Sequence, residues 1–545
     1  MSHQNKVKVL SHLKDSIPND IKGYSIGFYS IALEGWRRGL SLKFINKNRK
    51  KAVTLYELSS KERTHSFTGS RGDLVNQKVL DICSDKSLTK KYLTNSNVPT
   101  PKGKTFIKEN TNEEVIKFAN NLGYPLVIKP IIGRAGIGVI AGIENESEMK
   151  KALQYVRDEL GHKSIIVEEH FEGEDYRVLV VGKEVVAVIK RIPANVIGDG
   201  TKTIKELITE KNKFRKNNPV LSSSLIKIDD ELLQMLRQYN YDLNSVPKKD
   251  EIVYLKSKNN ISAGGDPVDI TDSVSKEIKQ IAVDAVNAIP ELPVAGVDLM
   301  VDEKKNKAVV IEINTQPSIR THLFPMNGVA RDIPSKIIDY YFAETKEIKR
   351  NEKIYFEFEP IWEAFQKGLV KEYKLPNAPV QSVKMTKFIV GGRVHHVNYG
   401  AWIRRQARDL NLHGYVKHLK NNQTEIVVQG EQENIDKFRE IINNNSSKRA
   451  KIIDVTEKEI TKTLACGFKI VNPELDEVLQ DGYYPVRLKG LSQLRRPVKK
   501  SSTSEESVKE NQVYKEELDK ILSSRSWKIT KPLRKFSRIL RKIKR

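Results

Sequence analysis

From about residue 85 to residue 345, short apolar runs alternate with stretches of helical periodicity, and this alternation restricts the region to a layered α/β domain. KSLTKKYLTNS and EEVIKFANNLG read as helices, whereas YPLVIKPI, SIIVEEHF, DYRVLVVGKEVVAVIKR and KAVVIEIN read as strands. The last strand carries an anomaly. In VVIEINTQPSI, residues 309–319, alternation with period two sends Glu312 and Asn314 one way and Ile311, Ile313 and Thr315 the other. A carboxylate and an amide then project side by side from a strand apolar enough to be buried. Taken alone, the pair reads equally well as a solvated strand end.

At 545 residues the chain is too long for one core, and two or three domains are expected. Residues 1–84 read as a small mixed module, with an alternating segment (SLKFINKN, KAVTLYELSS) and a helix-like SIALEGWRRGL. The layered domain spans 85–345, and a charged linker is expected over 346–383. Residues 384–460 follow the order strand, helix, strand, strand, helix, strand, an α+β sandwich. An extension and polar connector fill 461–515, and 516–545 form a basic amphipathic tail.

Three further stretches carry chemistry. YPLVIKPIIGRAGIGV delivers Lys129 from a buried strand into a loop with Gly133, Gly136 and Gly138. Such a loop exposes backbone N–H groups to a phosphate while the ammonium supplies a point charge, although a glycine-rich hairpin has the same letters. It is neither a Walker loop nor a dinucleotide-binding turn. SIIVEEHFEGEDYRV places Glu168 and Glu169 at a strand end and Glu174 beyond a turn. In VAGVDLMV, Asp298 interrupts an apolar run, which is costly unless the carboxylate is paired or binds a cation. If the strands of Asp298 and Glu312 pair as a hairpin, Asp298, Glu312 and Asn314 make an oxygen-only cluster suited to Mg2+.

Together, DKSLTKKYL, VIKP, the glycine loop, VEEHFEGEDYRV, GVDLM and IEINTQPS resemble the ATP-grasp ligases in order and over about 260 residues. RIPANVIGDGTKTIKELI and NNISAGGDPVDITDSV resemble the branch holding cyanophycin synthetase and bifunctional glutathione synthetase. The resemblance implies that Lys86 and Lys129 touch nucleotide phosphates, that Glu168 and Glu169 lie near adenine and ribose, and that Glu174 supports the pocket. Asp298, Glu312 and Asn314 would hold Mg2+ (or Mn2+), Arg191 would face the transferred phosphate, and the loop of Gly264 and Gly265 would lie near the acceptor. The implied chemistry is phosphorylation of a carboxylate by ATP, then attack of an amine on the acyl phosphate. Charge neutralisation and positioning, by Lys129 and Arg191 among others, supply the catalysis.

Residues 385–438 resemble an acylphosphatase, with departures wherever chemistry is needed. GRVHHVNYG places His396 and Asn398 where glycines wrap a phosphate and Gly400 where an arginine binds it, and HGYVKH places His418 at the asparagine position. The apolar frame is retained, so the fold is expected without acylphosphatase activity, or with little of it. His395, His396 and His418 lack acidic or cysteine companions and read as solvent-facing turn residues rather than metal ligands.

The net charge is +25, and residues 525–545 alone hold ten Lys or Arg and no acid. Leu533, Phe536, Ile539, Leu540 and Ile543 fall at helical spacing within that tail, which reads as an amphipathic helix on anionic lipid. Nucleic acid is disfavoured, because base-stacking aromatics are not interleaved with the charge. RSWKITKPLRK resembles endings of some bacterial envelope-polysaccharide glycosyltransferases, a hint of envelope or polymer synthesis. No window approaches the roughly 20 apolar residues of a membrane helix. The start MSHQNKVKVL lacks a signal core, and Cys83 and Cys466 have no metal-like spacing, so a cytoplasmic location at the inner membrane face is expected.

The leading expectation is thus an ATP- and Mg2+-dependent carboxylate–amine ligase, with homodimerisation as a family expectation. The alternatives are an acyl phosphate hydrolase and a non-catalytic ATP-binding scaffold. Arg37, Arg38 and Arg71 of the N-terminal module stand as candidates for binding a substrate carboxylate or phosphate.

Overall fold

The computed structural model describes residues 9–46, 55–133, 137–379, 383–395, 397–419, 422–444 and 450–471. All of them belong to one unit that ends at Pro473, and the connector and tail expected beyond it lie outside the described residues.

The layered region contains two antiparallel sheets. The smaller orders its strands Gly103–Phe106, Ile165–Glu169, Leu126–Pro130 and Ile140–Ile143. Helices Asn112–Leu122 and Glu146–Leu153 cover it, and Leu126, Ile128, Val115 and Met149 form its core. Thr111 and Glu114 close a reciprocal cap on the first of these helices, which is why it starts there. The larger sheet orders Asp266–Asp269, Glu184–Ile192, Glu174–Val181, Val294–Asp302 and Lys307–Asn314. Helix Lys276–Asn287 packs on one face through Ile278, Ala282 and Val286. The other face packs partly on the core of the N-terminal module through Leu179, Ala187 and Val294, and carries Arg177, Arg191 and Asp298 farther along the same strands. A lobe of two helices, Ile204–Asn217 and Asp230–Gln238, and a two-stranded ribbon is inserted between the strands Glu184–Ile192 and Asp266–Asp269.

In the N-terminal module, helix Ser25–Arg37 is buried along almost its whole length. Its own sheet flanks it, and it also packs on helix Ile333–Tyr341. The linker expected over 346–383 is not one where it is described. Phe356, Phe358, Ile361 and Phe365 join the core of Phe28, Phe44 and Tyr56, and strand Glu372–Lys374 pairs with Ser41–Ile45. IYFEFEPIWEAF interleaves aromatics with acids, so its charge hides its apolar content. Ile354–Tyr355 then pairs in parallel with Leu464–Ala465, which ties the C-terminal sandwich to this strap.

That sandwich has the expected order, with sheet order Lys451–Glu459, Val383–Arg393, Gln423–Glu431, His413–His418 and Phe468–Val471. The last strand comes from the expected extension, of which residues 461–471 are therefore partly sheet. Helices Tyr399–Asp409 and Gln432–Asn443 bury Tyr399, Ile403, Ile435 and Phe438 against Phe388, Val416 and Ile426.

Candidate active site

Asp85 caps helix Lys86–Asn95, its carboxylate accepting from the N–H groups of Ser87 and Leu88 at 2.8 and 3.0 Å. The cap sets the phase of the helix, so Lys86, Thr89 and Lys90 line one cleft. Lys129 enters from the end of its strand, 6% exposed, and Glu168 stands beside it, 3% exposed. One oxygen of Glu168 meets the Lys129 ammonium, and the other accepts from Lys90 at 3.0 Å. Lys86 donates to the Gly133 carbonyl at 3.3 Å, so the glycine loop starts within its reach. Gly138 has φ +74°, a conformation that suits glycine. Gly136 lies outside the described residues. Ile311 and Glu312 line the same cleft from the larger sheet.

Lys90 carried no expectation. Its only signal in the sequence is its position one turn after Lys86.

The hairpin expected for the acidic strands is present. Asp298 lies opposite Glu312 on one side and opposite Arg177 on the other. Directly opposed residues share a face. The alternation is not strict: Asp298 pairs with Glu312 but Leu299 with Val310, so Ile311 is the extra residue of a bulge, and the strand borders the cleft from Val310 to Ile313.

Asp298 is 8% exposed, and Arg177 donates to its Oδ2 at 2.8 Å while Arg191 stands 3.3 Å from the same oxygen. Burial alone would raise its pKa, but the two guanidiniums hold it below the usual carboxylate range. Burial likewise opposes the charge on Arg191, yet Asp298 and Asp175 raise its pKa. Asp175 itself is shifted up by burial, against its bond from Arg191 of 2.8 Å. Asn314 is an orphan: its Nδ2 is buried without a hydrogen-bond partner among the described residues. Turning the amide over would present its oxygen at the same point. With the carboxylates of Asp298 and Glu312, that donor set fits a hard divalent cation such as Mg2+.

Residues 83–319 match the family model described as ATP-grasp domain, and residues 386–470 match the one described as Acylphosphatase. The central region is an ATP-grasp domain. Among curated proteins, the chain is 34% identical over 270 residues to cyanophycin synthetase of Synechocystis sp., covering 48% of this chain and 31% of that protein. It is 36% identical over 270 residues to the glutathione biosynthesis bifunctional protein of Clostridium perfringens, covering 48% and 34%. The chain therefore spans about a third of the length of these relatives. A solved bifunctional glutathione synthetase from Pasteurella multocida is 25% identical, covering 59% of this chain and 45% of that one, with a TM-score of 0.45.

Other expected residues of the ATP-grasp domain fall as follows. Glu169 accepts from the Lys102 N–H at 3.3 Å at the strand end. Glu174 is exposed and paired with Lys190 at 3.3 Å, and it does not line the lysine cleft. Gly264 has φ +102°, and a Cβ on Gly265 would lie 2.8 Å from the carbonyl oxygen of Ile192, next to Arg191. The loop expected near the acceptor thus abuts the strand that carries Arg191.

Of the three arginines of the N-terminal module, two are committed to the fold. Arg37 is fully buried and donates to the carbonyls of Ile354, His12 and Glu352 and to Ser16. Arg38 bonds Glu34, Asp339 and Ser335. The turn before Arg71 reaches the domain instead, with Ser70 donating to the Pro317 carbonyl at 2.6 Å. Among the described residues one trio, His12, Glu34 and Asp332, is close enough to share an ion, but Arg350 already sits among them, 2.9 Å from Glu34 and 2.7 Å from Asp332.

In the acylphosphatase-like domain, Asn398 caps helix Tyr399–Asp409 with φ +61°, where the related signature has glycine. Gly400 follows in the first turn. His395 and His418 are half-buried rather than solvent-facing, with ring centroids 4.5 Å apart, and His418 meets the Thr424 hydroxyl at 2.9 Å. His396 lies outside the described residues.

Proposed function

We propose that the chain is an ATP-dependent carboxylate–amine ligase working through an acyl phosphate. The observation that carries this reading is the convergence of Lys86, Lys90, Lys129 and Glu312 on one cleft, beside the Arg177–Asp298–Arg191 cluster. The cleft there is partly open and holds about 20 Å³, roughly the space of one water, so a nucleotide needs it to widen. The lysines bind the phosphates, and Arg191 faces the transferred group, where it offsets the charge that spreads over the equatorial oxygens. The substrate carboxylate attacks the terminal phosphorus, the bond to the bridging oxygen breaks and ADP leaves. The amine then attacks the acyl carbon, the C–N bond forms, inorganic phosphate departs and the amine proton passes to phosphate or solvent. Mg2+ held by Asp298, Glu312 and Asn314 would neutralise phosphate charge. Peptide-like polymer or envelope synthesis, with the basic tail on anionic lipid, is the setting suggested by the tail sequence.

The test is ADP and phosphate release with magnesium against pools of amino acids, short peptides and sugar acids, with Glu312→Gln as the blank. Release that depends on one pool and disappears in the blank supports the ligase. A nucleotide that binds without turnover in every pool would leave a scaffold, and release of phosphate from acyl phosphates alone would indicate the hydrolase.

A further inference from the structure

Five arginines among the described residues are buried: Arg37, Arg38, Arg157, Arg215 and Arg320. Four have their terminal amino groups satisfied. Arg37 and Arg38 are bonded as above, Arg157 donates to Asn110 and Asn112, and Arg215 donates to Asp266 at 2.8 Å. Arg320 differs. It is 5% exposed, its Nε donates to Ser318 at 3.2 Å, and neither terminal amino group has a hydrogen-bond acceptor among the described residues. Neither nitrogen is sealed from solvent, so both open into a space. Burial lowers its pKa, and no carboxylate faces it; Tyr24 opposes the shift.

That space has defined walls. The Tyr24 ring stacks on the guanidinium, 3.8 Å from its carbon to the ring centroid, and the Tyr24 hydroxyl stands 3.5 Å from the hydroxyl of Ser262 in the acceptor loop. A Cβ on Gly23 would meet Ser223 Oγ at 3.4 Å and Arg320 Nη1 at 4.0 Å, so Gly23 keeps the approach open. Gly23 also has φ +58°, and its N–H is tied to the Pro219 carbonyl at 3.1 Å. The N-terminal module, the inserted lobe and the segment after Asn314 therefore converge on one cationic fork.

A desolvated guanidinium without an anion is costly in the folded protein, and a planar carboxylate that takes up both terminal amino groups recovers that cost. We propose that Arg320, with Tyr24, Ser223 and Ser262 around it, binds a carboxylate of an amino-acid-type substrate that the reaction leaves unchanged. The reacting carboxylate belongs beside Arg191 and Glu312, whereas the Tyr24–Arg320 pair meets the loop at Ser262. The proposal rests on the ligase reading for its role and on the unpaired guanidinium for its chemistry.

Two readouts separate those supports. In the first, ADP release is measured with L-amino acids and dipeptides as free acids and as C-terminal amides. Free acids are expected to stimulate at least tenfold more than amides, and Arg320→Met to raise the half-saturating concentration at least thirtyfold, with Arg320→Lys recovering part of it. Binding of a MgATP analogue to Arg320→Met checks that the variant is folded. In the second, phenylglyoxal modification of Arg320 in the wild-type chain is mapped by peptide mass spectrometry, without turnover. Protection by the free acids and not by the amides, in the absence of ADP release, would retain the pocket and remove the ligase. Equal modification with both pools, or wild-type kinetics in Arg320→Met, overturns the proposal whatever the ADP assay shows.

Discussion

His418 Nε2 lies 3.6 Å from the point that a Cβ on Gly400 would occupy. The two positions where the acylphosphatase signature has arginine and asparagine are thus still neighbours, and the separation is ordinary van der Waals contact. Gly400→Arg with His418→Asn is expected to create acyl phosphate hydrolysis at least tenfold above the parent, read with benzoyl phosphate. Arginine in the helix should also add about 1 kcal/mol of stability over glycine. A folded double variant as inert as the parent would place the defect at His396 and Asn398 instead.

The Lys90–Glu168–Lys129 triad makes a second prediction. Lys90→Met and Lys129→Met should each weaken binding of a fluorescent ATP analogue by about tenfold, or about 1.4 kcal/mol. Glu168→Gln leaves the buried Lys129 ammonium and the half-buried Lys90 ammonium without their carboxylate and should cost about 3 kcal/mol in urea unfolding. Wild-type stability in Glu168→Gln would show that the triad is solvated and unimportant.

Asp298 and Glu312 share a face but should separate in their effects. Asp298→Asn strips Arg177 and Arg191 of their common anion and is expected to lose about 3 kcal/mol of stability together with turnover. Glu312 has no ion-pair partner among the described residues, so Glu312→Gln should lose turnover with its melting temperature nearly unchanged. Equal destabilisation by both would mean that Glu312 is structural.

His413 gives the acylphosphatase-like domain a pH dependence. It is buried, which lowers its pKa to about 4, and its Nδ1 accepts the Gly467 N–H at 3.0 Å. The folded pKa lies below the unfolded value of about 6.5, so the unfolded chain binds the extra proton. Stability from this residue is complete above pH 6.5 and is lost as pH falls toward 4. The upper bound is about 3 kcal/mol, and His413→Asn should flatten the dependence in denaturant titrations between those two pH values.

Much of this was legible before any coordinates. Glu312 and Asp298 announced themselves as acids in apolar strands, and the succession of strands and helices along 384–460 followed from periodicity. Lys90, Arg177 and Arg320 did not, because a lysine on a polar helix, an arginine in an alternating strand and an arginine after a proline turn are ordinary letters. Their importance comes from neighbours far away in the chain: Glu168, Asp298 and Tyr24. The strap of residues 354–375 was misread for the converse reason, its charge being local and its aromatic contacts distant.

By itself, then, the sequence carried the ordered motifs that resemble ATP-grasp ligases and acylphosphatases, two acid-bearing strands able to pair as a hairpin, and departures from the acylphosphatase signature at Gly400 and His418. Each of these is written in short motifs and in residue type. Only the tertiary structure decided which charges are compensated. Whether a buried guanidinium is a strut, as in Arg37 and Arg215, or an open fork, as in Arg320, depends on acceptors brought from remote segments, and desolvation is a property of that assembled environment rather than of the residue.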